Sequence, residues 1–219
     1  MAVTGLILIT FLLMHMIGNL KMFLGQEHFN DYANWLKELV LTPFLPEGFF
    51  IWIFRAVLLA CIVLHMYSAI VLWLRAKRAT PSTYEARRRL AQTYSARTMR
   101  WGGVILAGLV IWHLLQFTII PNTFTPAAAT TYKGGHDPFT MVLITFQSPL
   151  FVALYAVWMA VVCLHIRHGF WSAFTTLGAN TSLKAQAVLN ACAWFVAALL
   201  FCGFMIMPVA DLLGGIGVH

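Results

Sequence analysis

Apolar residues along this chain run in long unbroken blocks rather than in alternation. Cutting the sequence at its charged residues leaves five such blocks: 1–20, 56–74, 101–132, 138–166 and 185–210. Each is at least as long as the roughly 17–25 residues a helix needs to cross about 30 Å of hydrocarbon. The pattern therefore predicts five membrane-spanning helices: about 3–24, 49–76, 97–120, 149–176 and 183–207. Pro121 stops the third, and Ser148-Pro149 opens the fourth, since proline is tolerated in a first turn. Gly178 closes the fourth, and the fifth is expected to end ahead of Pro208. The stretches 25–48 and 121–147 read as loops, and the whole of 1–219 as a single all-α, five-helix membrane domain.

Composition agrees with that pattern. The 219 residues are 61% hydrophobic and 10% charged, with mean hydropathy +0.81, far from the usual soluble balance of about 25% charged. The first block has no basic leader and no small-x-small cleavage site, and it holds His15 in its second half, so it is expected to remain as a helix. Cys61, Cys163, Cys192 and Cys202 all fall within apolar blocks, without CxxC spacing, and are expected to be small core residues.

The net charge of +7 does not indicate nucleic acid, because its distribution follows the spans. Arg75, Lys77, Arg78, Arg87, Arg88, Arg89, Arg97, Arg100, Arg167 and Lys184 fall on one side, against Lys21, Lys37, Arg55 and Lys133 on the other. By the positive-inside rule the N-terminus and the basic loops are expected in the cytoplasm and the C-terminus outside. The basic face would meet anionic lipid or an acidic partner.

Chemistry concentrates in histidine. Eight are present, and His15, His65, His113 and His165 each sit inside a different span with apolar residues on both sides. An ionisable side chain in a span is costly and marks a functional site with a partner. No carboxylate falls in any of the predicted spans, so neither a proton relay nor an oxygen-ligated metal is indicated. Neutral imidazoles without acidic neighbours suit iron in a porphyrin, which carries its own balancing charge; four-histidine zinc is possible but has no evident purpose here. There is no P-loop, GxGxxG, HExxH or nucleophile elbow.

Depth sorts the four. His113 lies twelve residues after Trp101 and eight before Pro121, and His15 lies past the middle of its span, which places both in the outer half. The second and fourth spans run inward, with His65 sixteen residues beyond Phe49 and His165 sixteen beyond Pro149, which places both in the inner half. Two pairs at two depths match the requirement of two stacked bis-histidine haems. With both axial positions filled, such a cofactor transfers electrons rather than activating oxygen. Without CxxCH the haems would be non-covalent haem b. Gly18, Ser68, Ala69 and Gly169, three or four residues after a ligand, leave room for a flat macrocycle or for ordinary close packing.

The chain resembles, over essentially its whole length, the dihaem cytochrome b membrane anchor of bacterial succinate:quinone and quinol:fumarate oxidoreductases. The motifs are His15 with Asn19 four residues on, the lone His65 and His113, and the fourth-span signature of Ser148-Pro149, then HxxxGxWS at His165, Gly169, Trp171 and Ser172. The resemblance implies His15 and His113 at an outer haem and His65 and His165 at an inner one. It implies partners on the cytoplasmic face, a flavoprotein and an iron–sulfur subunit, in a bacterial inner membrane. It implies a quinone, menaquinone in most dihaem members, as substrate, with no catalytic residue for succinate or fumarate in this chain itself. A quinone-linked acidic group near the outer end of the first span directs attention to His28, Asp31 and Glu38, which a solvated loop face explains equally. Arg97, Arg100, Arg167 and His168 are candidates for haem propionates, or anchors reaching to water. Trp101 and Trp171 read as interfacial belt residues, and His136 and His219 as solvent-facing. Alternatives are the cytochrome b subunit of a hydrogenase or formate dehydrogenase, whose ligands are commonly paired on one helix, and a haem-free transporter or anchor.

Overall fold

The computed structural model describes residues 1–38, 48–79, 94–124, 131–132 and 135–216. The chain folds as α1 (Ala2–Leu20) with a 3-10 turn (Lys21–Leu24), α2 (Gln26–Glu38), α3 (Phe49–Ala79), and α4 (Tyr94–Leu114) with a π turn (Leu115–Ile119). There follow α5 (Pro121–Phe124), a two-residue antiparallel ladder of β1 (Thr131–Tyr132) and β2 (Gly135–His136), α6 (Pro138–Phe146), α7 (Pro149–Thr176) and α8 (Leu183–Leu212). Five of these helices are long and apolar enough to cross a membrane: α1, α3, α4, α7 and α8. Among the described residues the fold is all-α apart from the short ladder.

Side-chain contacts give the directions. Thr4 and Gly5 at the start of α1 meet His65 late in α3, while Phe11 meets Phe54 early in α3, so these two helices run antiparallel. Gly103 of α4 lies by His165 of α7 and His113 by Tyr155, again antiparallel. α8 runs antiparallel to α7, since Arg167 meets Asn190 and Cys163 lies beside Phe201, and Met16 and His15 of α1 reach its Gly203 and Phe204. A Cβ on Gly203 would strike the Met16 thioether, so a larger residue there needs the Met16 side chain to shift. Glycine at close helix contacts is the usual solution where backbones must approach in lipid.

The core is uneven. α7 packs on α8, α4 and α1, and its inward face carries the buried Val152, Tyr155, Trp158, Met159, Val162 and Ile166. Among the described residues α3 packs closely on α1 and α2, and α3 and α4, consecutive spans, do not pack closely on each other. Trp52, Leu59, Val63 and Tyr67 of α3 and Trp101 and Val104 of α4 are exposed, the apolar-outward arrangement that lipid rather than water requires.

Several boundaries differ from the sequence expectation. The stretch 25–48 contains α2, and 121–147 contains α5, the ladder and α6. α6 begins at Asp137, whose carboxylate caps the Thr140 N–H at 3.1 Å, with Pro138 in the first turn, where its missing N–H costs nothing. α8 begins with Ser182 capping the Ala185 N–H at 3.1 Å and continues through Pro208 to Leu212. Proline inside a span is tolerated because neighbouring groups re-satisfy the freed backbone. The consequence is a correction: Asp211 lies within the last turn of α8, so the spans do contain a carboxylate. The cysteines also divide, since Cys61 is buried and Cys163 half-buried, but Cys192 and Cys202 are exposed on the lipid-facing side. They are therefore not all core residues. Gly178, with φ of 86°, ends α7 in the left-handed conformation that favours glycine.

Candidate functional site

The four histidines inside the spans meet in two pairs. His15 of α1 and His113 of α4 face each other with ring centroids 6.0 Å apart and planes at 85°. His65 of α3 and His165 of α7 lie 6.4 Å apart with planes at 59°. These are the two groups that the depth count separates, and each pair joins helices that are diagonal in the bundle. Their levels follow from the helix contacts. Thr4 lies beside His65 and His15 is eleven residues further along α1; Gly103 lies beside His165 and His113 is ten residues further along α4. At about 1.5 Å per residue both counts put roughly 15 Å between the two levels.

The pair spacing can be compared with metal chemistry. A metal–imidazole bond of about 2 Å, with a ring centre about 1 Å beyond its nitrogen, puts two axial rings about 6 Å apart across one ion. Among the described residues no group of three His, Cys, Asp or Glu side chains is placed to hold a metal. Each pair, as the described residues place it, offers two imidazole ligands, where a bare zinc site takes four. An ion carried in a planar tetradentate ring needs only the two. The donor set fits haem.

The histidine tautomers are set by their neighbours. Tyr155 donates its single phenolic proton to Gln116 Oε1 at 2.8 Å, so its oxygen, 3.3 Å from His113 Nδ1, accepts from an Nδ1–H. Thr4 donates to the Met1 carbonyl at 3.0 Å, and its oxygen, 3.2 Å from His65 Nδ1, accepts likewise. With their own protons given to Gln116 and to the Met1 carbonyl, the two hydroxyl oxygens are acceptors for an Nδ1–H, the tautomer that leaves Nε2 with the bare lone pair a metal ligand requires. His165 Nδ1 is buried and has no hydrogen-bond partner among the described residues. His15 stacks on Phe11, with centroids 5.4 Å apart, and tilts against Phe204. Phe117, Trp158 and Tyr155 surround His113, so the first pair sits in a largely apolar, aromatic setting.

Small residues act at positions other than those the spacing suggests. A Cβ on Gly5 would come within 3.3 Å of His65 Cε1, and one on Gly103 within 3.7 Å of His165 Cε1. Gly18 instead admits the Tyr32 hydroxyl, 3.1 Å from where its Cβ would be, and Ser68 is bonded to the Leu64 carbonyl of its own helix. Gly169 has open space beside it.

The remaining candidates scatter. Arg100 lies over the Trp73 ring at 5.1 Å, bridging α4 to α3, and Arg167 donates to Asn190 Oδ1 at 2.7 Å and lies over Trp194, bridging α7 to α8. His168 sits near Trp171, with ring centroids 6.5 Å apart. Arg97 belongs to α4, but its side chain lies outside the described residues, as do Lys133 and His219. At the opposite end, Glu38 lines a notch of about 370 Å³ with Asn34, Lys37, Trp52 and Arg55, between α2 and α3. His28 and Asp31 are exposed on α2 and do not line it. His136 is exposed in β2.

That same end is closed by a polar clasp. Asp137 is buried, with one carboxylate oxygen accepting from Gln26 Nε2 at 2.9 Å and the other from Asn30 Nδ2 at 2.8 Å, while Asn30 Oδ1 accepts the Phe139 N–H at 3.1 Å. Burial acts to raise the Asp137 pKa, but the hydrogen bonds from Thr140, Asn30 and Gln26 outweigh it and hold the carboxyl below its ordinary value.

Thr4, Gly5, Gln116 and Tyr155 are the site residues that sequence reasoning missed. Gln116 had a signal, as an amide one turn after His113 in LLQFTII. Comparison of the chain with protein families, with characterised proteins and with solved structures finds no match.

Proposed function

We infer that this chain is a dihaem cytochrome b, the membrane anchor of a quinone-linked oxidoreductase of the succinate dehydrogenase or fumarate reductase type. The observation that carries the proposal is the pair of facing imidazoles at each of two levels, 6.0 Å and 6.4 Å apart. His15 and His113 would hold one haem b, and His65 and His165 the other. Haem b, when bound, supplies reversible one-electron chemistry, and with two histidine ligands it has no open position for oxygen.

What the chain itself contributes is position and medium. Four helices present one imidazole each, two of them beside hydroxyl groups, within a bundle of apolar helices. The positive-inside count assigns the end bearing Arg75, Arg78, Arg100, Arg167 and Lys184 to the cytoplasm, which makes it the docking face for an iron–sulfur subunit carrying a flavoprotein. The opposite end, with its polar notch at Glu38, then faces outward and is where quinone, of menaquinone type by resemblance, would exchange electrons and protons. A bacterial inner membrane is the setting this assigns.

The test is a reduced-minus-oxidised spectrum and haem count on the complex purified from native membranes. Two b-type haems per chain and a co-purifying flavoprotein are expected. A purified chain without b-type bands ends the proposal, while haems without the flavoprotein move it to a hydrogenase or formate dehydrogenase anchor.

A further inference from the structure

The two histidine pairs are not equivalent in what lies behind them. Behind His65 stands Thr4, three residues from the N-terminus and tied to the Met1 carbonyl. Behind His113 stands a chain of buried groups: Tyr155 at 3.3 Å, then Gln116 Oε1 at 2.8 Å from the phenol, then Thr145 with its hydroxyl 3.5 Å from Gln116 Nε2. Thr145 in turn donates to the Met141 carbonyl at 2.8 Å. Gln116 is only 1% exposed, and burying an amide in a span is justified only if its bonds are made.

The backbone departs from α-helical geometry at this point. α4 gives way to a π turn at Leu115–Ile119, immediately after His113, and Gln116 lies in it. Such single π turns cost regular hydrogen bonding and are frequent at functional positions. With Gln116 accepting the only phenolic proton, Tyr155 can act toward His113 in one way, as acceptor.

We propose that Tyr155, oriented by Gln116 of the π turn, is a positioning residue that fixes the His113 imidazole and lowers the midpoint potential of the haem it serves. This rests on the dihaem reading above. An imidazole that donates its distal N–H to a good acceptor is a more basic ligand, and a more basic ligand favours the oxidised, more highly charged iron. Thr4 gives the other level a corresponding acceptor of its own, nearer the chain terminus.

The experiment is a spectroelectrochemical titration of the full chain in native membranes, for wild type, Tyr155→Phe, Gln116→Leu and Thr4→Val. Tyr155→Phe is expected to raise the potential of the His15/His113 haem, changing its reduced-to-oxidised ratio at fixed potential roughly tenfold, about 59 mV for one electron. The His65/His165 haem should not move. Gln116→Leu, which keeps the phenol and frees its proton, should shift the same haem in the same direction by less, and it carries the test where Tyr155→Phe loses that haem. Thr4→Val should move only the other haem. Two haems with unmoved midpoints in both Tyr155→Phe and Gln116→Leu, or equal shifts of both haems in either, overturn the role of Tyr155. A wild-type preparation without b-type bands removes the haem reading instead, so the two failures are distinct.

Discussion

His15 and His113 face each other across the bundle from α1 and α4, with ring centroids 6.0 Å apart, and neither helix supplies a second inward histidine at that level. Removing one ring should therefore disable one level only. On the proposed dihaem reading, His113→Ala is predicted to lower the haem content of the purified protein by about half and to leave a His65/His165 haem with its own midpoint and spectrum. The complementary His65→Ala should keep the other haem. Haem count with redox titration checks both, and two unaltered haems in either variant contradict the assignment.

The Asp137 clasp ties α2 to the start of α6 through Gln26, Asn30 and the Thr140 N–H. Its carboxyl is held below its ordinary value in the folded protein, so the stabilisation it gives is fully present above the unfolded pKa and is lost as pH falls through the folded value. Stability in detergent should accordingly fall as the solution is taken into the strongly acidic range. Asp137→Ala, which removes the acceptor of the buried Asn30 amide and leaves Gln26 only the Thr140 hydroxyl at 3.2 Å, is predicted to cost about 1–3 kcal/mol at neutral pH. It should also remove that part of the acid dependence. Thermal melts of the two proteins across pH, followed by loss of helix signal, measure both effects.

Most of the spanning architecture is legible in the sequence because lipid imposes a coarse rule: long uncharged blocks become helices, whatever their neighbours. That rule places α1, α3, α4 and α7 closely. It says nothing of 25–48 and 121–147, where α2 and α6 form by capping and by a clasp between residues more than a hundred positions apart, Asn30 and Asp137. It also ended the fifth span at Pro208, where the surrounding bundle carries the helix on to Leu212. For the site, histidine depth could be counted because antiparallel helices convert sequence position into level. The residues that orient those rings could not. Thr4 and Tyr155 belong to helices other than those of the histidines they touch, and only packing reveals them.

Gly203 and Met16 set the distance between α1 and α8, since a Cβ at 203 would overlap the Met16 side chain. Gly203→Ala is predicted to destabilise the bundle by about 1–3 kcal/mol through overpacking. Met16→Ala alone leaves a cavity, yet combined with Gly203→Ala it gives the new methyl group somewhere to go. The double variant should thus be more stable than the sum of the single losses, with a coupling of about 0.5–3 kcal/mol. Melting in detergent of all four proteins measures that coupling, and strict additivity would show that the two helices do not meet as described.

Asp211 poses the opposite problem, a group the fold retains at a cost. It is 3% exposed at the end of α8, and neither carboxylate oxygen has a hydrogen-bond partner among the described residues. An unsatisfied buried acceptor costs about 1–3 kcal/mol, whereas an apolar side chain of similar shape in its place costs nothing comparable. Asp211→Leu should therefore stabilise the isolated chain, raising its melting temperature by roughly 2–12 °C for a protein of this size. An ionisable group in a span is by default a functional-site hypothesis. Its end of α8 is the end where α6 packs and where the chain presents its polar notch and clasp, so on the proposed quinone-linked function quinol-dependent turnover should fall in the same variant that melts higher. A variant that melts lower than wild type would show that the carboxylate has a partner after all, and would place Asp211 with Asp137 among the groups that hold the bundle together.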